Sequence, residues 1–134
     1  MNSKRYKNQI SENFYLSEFE CNCGKCIMPD DVKKNIIKLV EKYLQFLRDI
    51  INEPIHINSG YRCEAYNRQV GGVKYSQHKL GTAADISAES MSPSRLRGII
   101  KFHLPSIPGM GSYDNFTHID NRDLTDRDGR PARW

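Results

Sequence analysis

No stretch of this 134-residue chain approaches the ~18 consecutive apolar residues that span a bilayer, which excludes a helical membrane protein. The opening, MNSKRYKNQISENFYL, has no apolar core of the secretory kind. The expectation is synthesis in the cytoplasm without a signal peptide, with action at the cell wall or periplasm only after lysis or through a dedicated export route. There is no internal repeat and no low-complexity linker, so solenoids and tethered arrays are excluded and one domain over residues 1–134 is expected. A strong excess of one charge sign is also lacking. Lys plus Arg number 20 against 16 Asp plus Glu, a scattered net +4 without an Arg-rich helix or aromatic-basic interleaving. A nucleic-acid module is therefore the weaker reading, while a mild pull toward an anionic partner such as a wall polymer remains. At 38% hydrophobic and 27% charged, the chain suits a soluble globular protein.

The elements that are present read as mixed α and β. Pro29, Asp30 and Asp31 offer helix-starting chemistry. After them Val32, Ile36, Leu39, Val40, Tyr43, Leu44, Leu47 and Ile51 recur at spacings of three and four, the period of an amphipathic helix on a core. PIHIN (54–58) alternates as a short strand, SGYR turns out of it, and CEAYNRQVG follows as a short helix. AADI reads as a buried strand, SPSRLRGIIKFHL as a helix begun at Ser92 and Pro93, GSYDNFTHID as strand material, and GRPARW as an edge strand. With no regular βαβ repeat, the expected class is α+β, a small largely antiparallel sheet flanked by helices.

The densest chemistry lies in SQHKLGTAADI, residues 76–86. Gly81, Ala83 and Ala84 remove side-chain bulk between His78 and Asp85, so the backbone can turn tightly and carry the aspartate back toward the histidine. A carboxylate among apolar neighbours is costly without a cation to meet it, and zinc is such a cation. A catalytic zinc site commonly takes three ligands from His and Asp or Glu plus a water. His56, His103 and His118 compete for the third place. The first two read more simply as partly buried structural residues, whereas His118, in FTHID, lies on a strand able to sit beside AADI.

These residues resemble a known family, the zinc D-Ala-D-Ala carboxypeptidases and endopeptidases, whose fold group also includes lysostaphin and hedgehog. The resemblance is carried by SGYRCEAYNRQVGG (59–72), SQHKLGTAADI (76–86), GMGSYDNFTHID (109–120) and the closing RPARW, with LSEFECNC near the start. It implies a hedgehog/D-Ala-D-Ala peptidase-like fold and zinc held by His78, Asp85 and His118. It also implies an Arg62 that holds a substrate carbonyl or carboxylate and steadies the oxyanion, where a surface ion pair would be the bland reading. Ser76 would orient substrate or a ligand, or simply cap the turn. The substrate implied is a murein stem or cross-link peptide, cut by a monomeric enzyme of phage-endolysin type. A dipeptidase for free D-Ala-D-Ala and a non-catalytic, zinc-containing murein-binding module are the alternatives.

One position departs from the family. Where some relatives carry a His two residues or a Glu three residues before the last zinc histidine, this chain has Phe116 and Asn115, neither of which is a base. On an extended strand the residues four before and two after His118 share its face, which puts forward Asp114, preferred, and Asp120, either as general base or as support for a ligand. Cys21, Cys23, Cys26 and Cys63 pose a separate question. The spacing is not the paired C-x-x-C of a zinc ribbon, and without a signal peptide reduced thiols are expected. A four-cysteine zinc site and a disulfide from Cys63 to the N-terminal group stand as the alternatives.

Overall fold

The computed structural model describes residues 8–134. Residues 1–7, the first part of the stretch read as lacking a secretory signal, lie outside the described residues. No helix among the described residues is long and apolar enough to cross a membrane.

The periodic segment forms one long helical unit, α1 (Asp30–Leu39) running through a wider i→i+5 turn (Val40–Leu44) into α2 (Gln45–Ile51). Asp30 and Asp31 occupy the first turn, where the helix dipole favours anions, and Asn52 in the left-handed conformation ends the unit. Val32, Ile36, Leu39, Val40, Tyr43, Leu44 and Leu47 are all buried. Ile51, the last of the expected stripe, is only half-buried because the helix ends there. Before this unit, β1 (Gln9–Ser11) and β2 (Phe14–Tyr15) make a small antiparallel ladder.

Five strands form the main sheet: β3 (Ile55–Ser59), β4 (Ala83–Ala88), β5 (Gly109–Ser112), β6 (Thr117–Asp120) and β7 (Ala132–Arg133). Their order is β3-β4-β6-β5-β7, antiparallel except for the parallel β5–β7 pair. The α+β class is thus as expected, and GRPARW does supply the edge strand. GSYDNFTHID supplies the end of one strand, a turn and a second strand, since β5 and β6 are joined by residues 113–116.

The short α3 (Glu64–Gln69) follows the SGYR turn, and α4 (Pro93–His103) starts where Ser92 Oγ accepts the backbone N–H of Arg95. Leu96 and Ile100 of α4, the apolar face of the long helix, and Ile57, Ala84, Ile86 and Ile119 of the sheet make one core. Strand alternation then fixes the site. With Ala84, Ile86 and Ile119 on the core face, Asp85 and His118 point to the other.

Candidate metal centre

Register brings the candidate ligands together. In the β4–β6 ladder Asp85 stands directly opposite His118. His78 arrives from a 3₁₀ turn (Gln77–Leu80) closed by Gly81 at φ +77°, where an added Cβ would lie 2.7 Å from Val32 of α1. Tight turning and close approach both demand glycine there, as the sequence reading required. Ser76 Oγ accepts the backbone N–H of His78 at 3.2 Å, so the serine caps this turn while also lining the cleft.

All three donors share one small volume. His78 Nε2 lies 3.1 Å and His118 Nδ1 3.0 Å from the same carboxylate oxygen, Asp85 Oδ1. Tetrahedral zinc with bonds of about 2.0–2.1 Å needs ligand atoms about 3.3 Å apart, so small side-chain shifts suffice to admit it. The donor set, two imidazoles and a carboxylate, is one that zinc takes in catalytic sites. The remaining ring nitrogens are occupied. His78 Nδ1 donates to the Gly60 carbonyl at 2.7 Å, which leaves Nε2 its lone pair. His118 Nε2 meets Asp120 Oδ2 at 2.8 Å, which frees Nδ1 in the same way.

Electrostatics follow this geometry. Burial alone would raise the Asp85 carboxyl, but the bonds to His118 and His78 outweigh it and hold the group well below the usual carboxylate range. His118 is pulled the other way: burial would lower it, yet Asp120 and Asp85 raise it above the ordinary histidine value. Asp120, 0% exposed, is held down at about 2 against its own burial by His118 and Arg122. Arg122 grips it with Nε at 2.9 Å, Nη2 at 2.7 Å and its backbone N–H at 3.1 Å.

Arg62 stands at the rim of the triad. Its Nη2 is 3.2 Å from Asp85 Oδ2, and Ser59 Oγ and Asn67 Oδ1, each at 3.3 Å, brace the rest of the guanidinium. Asn67 is 2% exposed and also donates to the Val73 carbonyl. A cleft of about 450 Å³ opens over the group, lined by Ser76, His78, Asp85 and His118, with Arg62 at its rim. Tyr113, Phe116 and Trp134 line its walls. The Tyr113 and Phe116 rings stack at 4.6 Å, and Trp134 Nε1 donates to Tyr113 Oη. Phe116, two residues before His118, thus faces the cleft as part of an apolar wall.

The two aspartates offered as bases are placed very differently. Asp120 shares the face of His118 as strand alternation requires. Asp114 does not lie on a strand: β6 begins at Thr117, so Asp114 is an exposed residue of the β5–β6 turn and is not among those lining the cleft. His56 and His103 are exposed instead of partly buried, and neither joins the metal-ligating groups found among the described residues. The sequence reading passed over Asn67, Arg122 and Trp134. Asn67 and Trp134 do fall within the stretches that carry the resemblance, SGYRCEAYNRQVGG and RPARW, but without a role assigned to either.

A family model described as peptidase M15 matches residues 12–120. The zinc D-Ala-D-Ala carboxypeptidase of Streptomyces albus G is 32% identical over 87 residues, which cover 60% of this chain and 33% of that protein. The chain therefore matches about a third of the length of that curated relative.

Proposed function

The chain belongs to the peptidase M15 family, and on that premise we propose that it hydrolyses an amide bond in the stem or cross-link peptides of peptidoglycan, as an enzyme of endolysin type. The observation carrying this reading is the convergence of His78, Asp85 and His118 beneath an open cleft with Arg62 at its rim. Those three residues would hold the zinc. When bound, zinc supplies Lewis acidity to the scissile carbonyl and a water acidic enough to act near neutral pH.

The chain's own residues do the rest. Arg62, permanently charged and braced by Ser59 and Asn67, presents N–H groups to the oxygen that gains charge, or to a terminal carboxylate. Ser76 holds His78 through the turn it caps. Asp120 keeps the proton of His118 on Nε2, which leaves the Nδ1 lone pair free for a ligand role. We assign it this positioning role in preference to that of general base, because every one of its close contacts is a donor already engaged. Tyr113, Phe116 and Trp134 offer apolar surface to the peptide flanking the cut bond.

Carboxypeptidase action on a D-Ala-D-Ala terminus is the second reading, favoured by the Streptomyces relative's name. Digestion of purified murein sacculi by the zinc-loaded chain, with mass spectrometry of the released muropeptides, separates the two. New cross-link or stem ends support the first, and loss of a terminal D-Ala the second. Unchanged muropeptides with the cleft zinc in place would sink both and leave a binding module.

A further inference from the structure

Away from the cleft, a second set of metal-ligating side chains converges. Cys21, Cys23 and Cys26 lie in the loop between the first 3₁₀ turn (Leu16–Phe19) and α1, and Cys63 lies just ahead of α3. All four Sγ atoms lie within 4.8 Å of one another. Three of these thiols share one short loop, but the fourth, Cys63, is brought to them from 42 positions beyond Cys21.

The spacing of the sulfurs distinguishes the possible uses. Cys21 Sγ and Cys63 Sγ are 3.8 Å apart and all four cysteines are free thiols, whereas a disulfide holds its sulfurs at about 2.05 Å. Tetrahedral zinc with Zn–S bonds of about 2.3 Å sets its sulfurs about 3.8 Å apart, the separation of this pair. Two backbone N–H groups also point at sulfur, Cys26 N to Cys23 Sγ at 3.3 Å and Cys63 N to Cys21 Sγ at 3.4 Å. Each such donor eases the thiolate form that a metal needs, at Cys21 against the burial that pushes its thiol up.

The loop suits the role. Cys23-Gly-Lys-Cys26 is a C-x-x-C pair whose Gly24, at φ +76° with nothing within 4 Å of its missing Cβ, turns the chain between the two sulfurs. The second pair is not another C-x-x-C. It is Cys21 with Cys63, and that is why the linear spacing pointed away from a ribbon.

We propose that Cys21, Cys23, Cys26 and Cys63 bind a second zinc ion as a tetrathiolate, a structural site distinct from the cleft. It ties the N-terminal segment to the loop that carries Arg62. The same two segments already meet where Tyr61 N–H bonds the Phe19 carbonyl at 2.8 Å, and the next residue, Arg62, donates its N–H to the His78 carbonyl of the 3₁₀ turn at 3.1 Å. The thiolate cluster would thus hold one end of the loop whose other contacts orient the cleft arginine.

The test uses the full chain carrying His118→Ala, which lacks a cleft ligand, purified under reducing conditions with zinc and dialysed extensively. One zinc per chain is expected by elemental analysis, with four thiols that resist an aromatic disulfide reagent until the protein is denatured. Exchange with Co(II) should give the near-ultraviolet thiolate-to-cobalt charge-transfer absorption of an S₄ site, which histidine and aspartate ligands cannot produce. Adding Cys26→Ser should remove that zinc. A zinc-free His118→Ala chain with four freely reacting thiols would overturn the proposal, as would a cobalt spectrum without charge transfer. Should the double variant fail to fold, the cobalt spectrum of His118→Ala alone decides.

Discussion

Asp120→Asn exchanges one carboxylate oxygen for an NH₂ group while keeping size, and the surroundings of Asp120 leave that NH₂ nowhere favourable to point. At one oxygen position it meets His118 Nε2–H and Arg122 Nη2–H; at the other it meets the Nε–H and backbone N–H of Arg122. Either rotamer sets a donor against donors and cancels the charge that fixes the His118 tautomer. Loss of a partner behind a metal-ligating histidine typically costs 10–100-fold in metal affinity, or about 1.4–2.7 kcal/mol. In the metal-free chain the loss is larger. Breaking a buried ion pair by neutralising one partner costs about 3–5 kcal/mol. Arg122, with its side chain 24% exposed, recovers part of this from water, so a loss near about 3 kcal/mol and a fall in Tm of about 10 °C are expected. Chelator competition for the cleft zinc and thermal unfolding of the metal-free protein measure the two terms. An Asp120→Asn chain with wild-type zinc affinity and wild-type Tm, but kcat lower by ~10²-fold or more, would refute this reasoning and identify Asp120 as the general base.

Other outcomes follow from the same geometry. His118→Ala should abolish tight zinc binding in the cleft, since His78 and Asp85 alone make a poor site; a zinc count per chain undiminished from wild type in equilibrium dialysis contradicts the ligand set. Arg62→Lys keeps charge but loses the planar fork between Asp85, Ser59 and Asn67. Its kcat/KM should fall by ~10²-fold or more with zinc still bound, and an unchanged value would make Arg62 merely structural. Asp114→Asn tests the aspartate that the sequence prefers as base. Its exposed place in the β5–β6 turn predicts activity close to wild type, and a ~10²–10⁴-fold loss in kcat with zinc retained would restore it as base. Zinc affinity should also depend on pH in a definite direction. His118 in the metal-free chain titrates above the ordinary histidine value because Asp120 and Asp85 favour its charged form, and zinc needs the neutral ring. Affinity should therefore fall as pH drops through that raised pKa, by about tenfold per unit below it; a titration that is flat over that range would contradict the coupling.

Local signals in the sequence carried much of this. The three-four spacing from Val32 to Leu47 marks the long helix because one continuous face must meet the core, and Ser92-Pro93 marks α4 because a cap and an N1 proline act within one turn. His78 and Asp85 were legible together, since both lie on one short turn-strand unit whose glycine and alanines have no purpose without close approach. What stayed hidden depends on pairing between distant segments. The face on which Asp114 falls rests on where β6 begins, and strand alternation had been extended three residues too far along a stretch that turns. Trp134 reaches the cleft only because β7 pairs in parallel with β5, where Ser112 N–H bonds the Trp134 carbonyl at 2.8 Å and Gly111 leaves room for the indole. Asn67 and Arg122 act through other side chains, a role without a spacing rule. The cysteines form a cluster only when Cys63 is carried back to the N-terminal loop.

The ladder that sets Asp85 opposite His118 also makes the cleft a gauge of how the sheet has assembled. Slipping β6 along β4 by a single residue would bring Thr117 or Ile119 opposite Asp85 and turn the imidazole toward the apolar core. A misaligned sheet therefore offers two donors where the aligned one offers three. Any ion that prefers three draws the folding population toward one alignment, in proportion to how much more tightly it binds there. In the metal-free chain the imidazole of His118, charged below its raised pKa, does the same work electrostatically between Asp85 and Asp120, carboxylates that would otherwise repel each other across β4 and β6. The pairing that prepares the chemistry is thus also the pairing that the site's own charges and ligands favour.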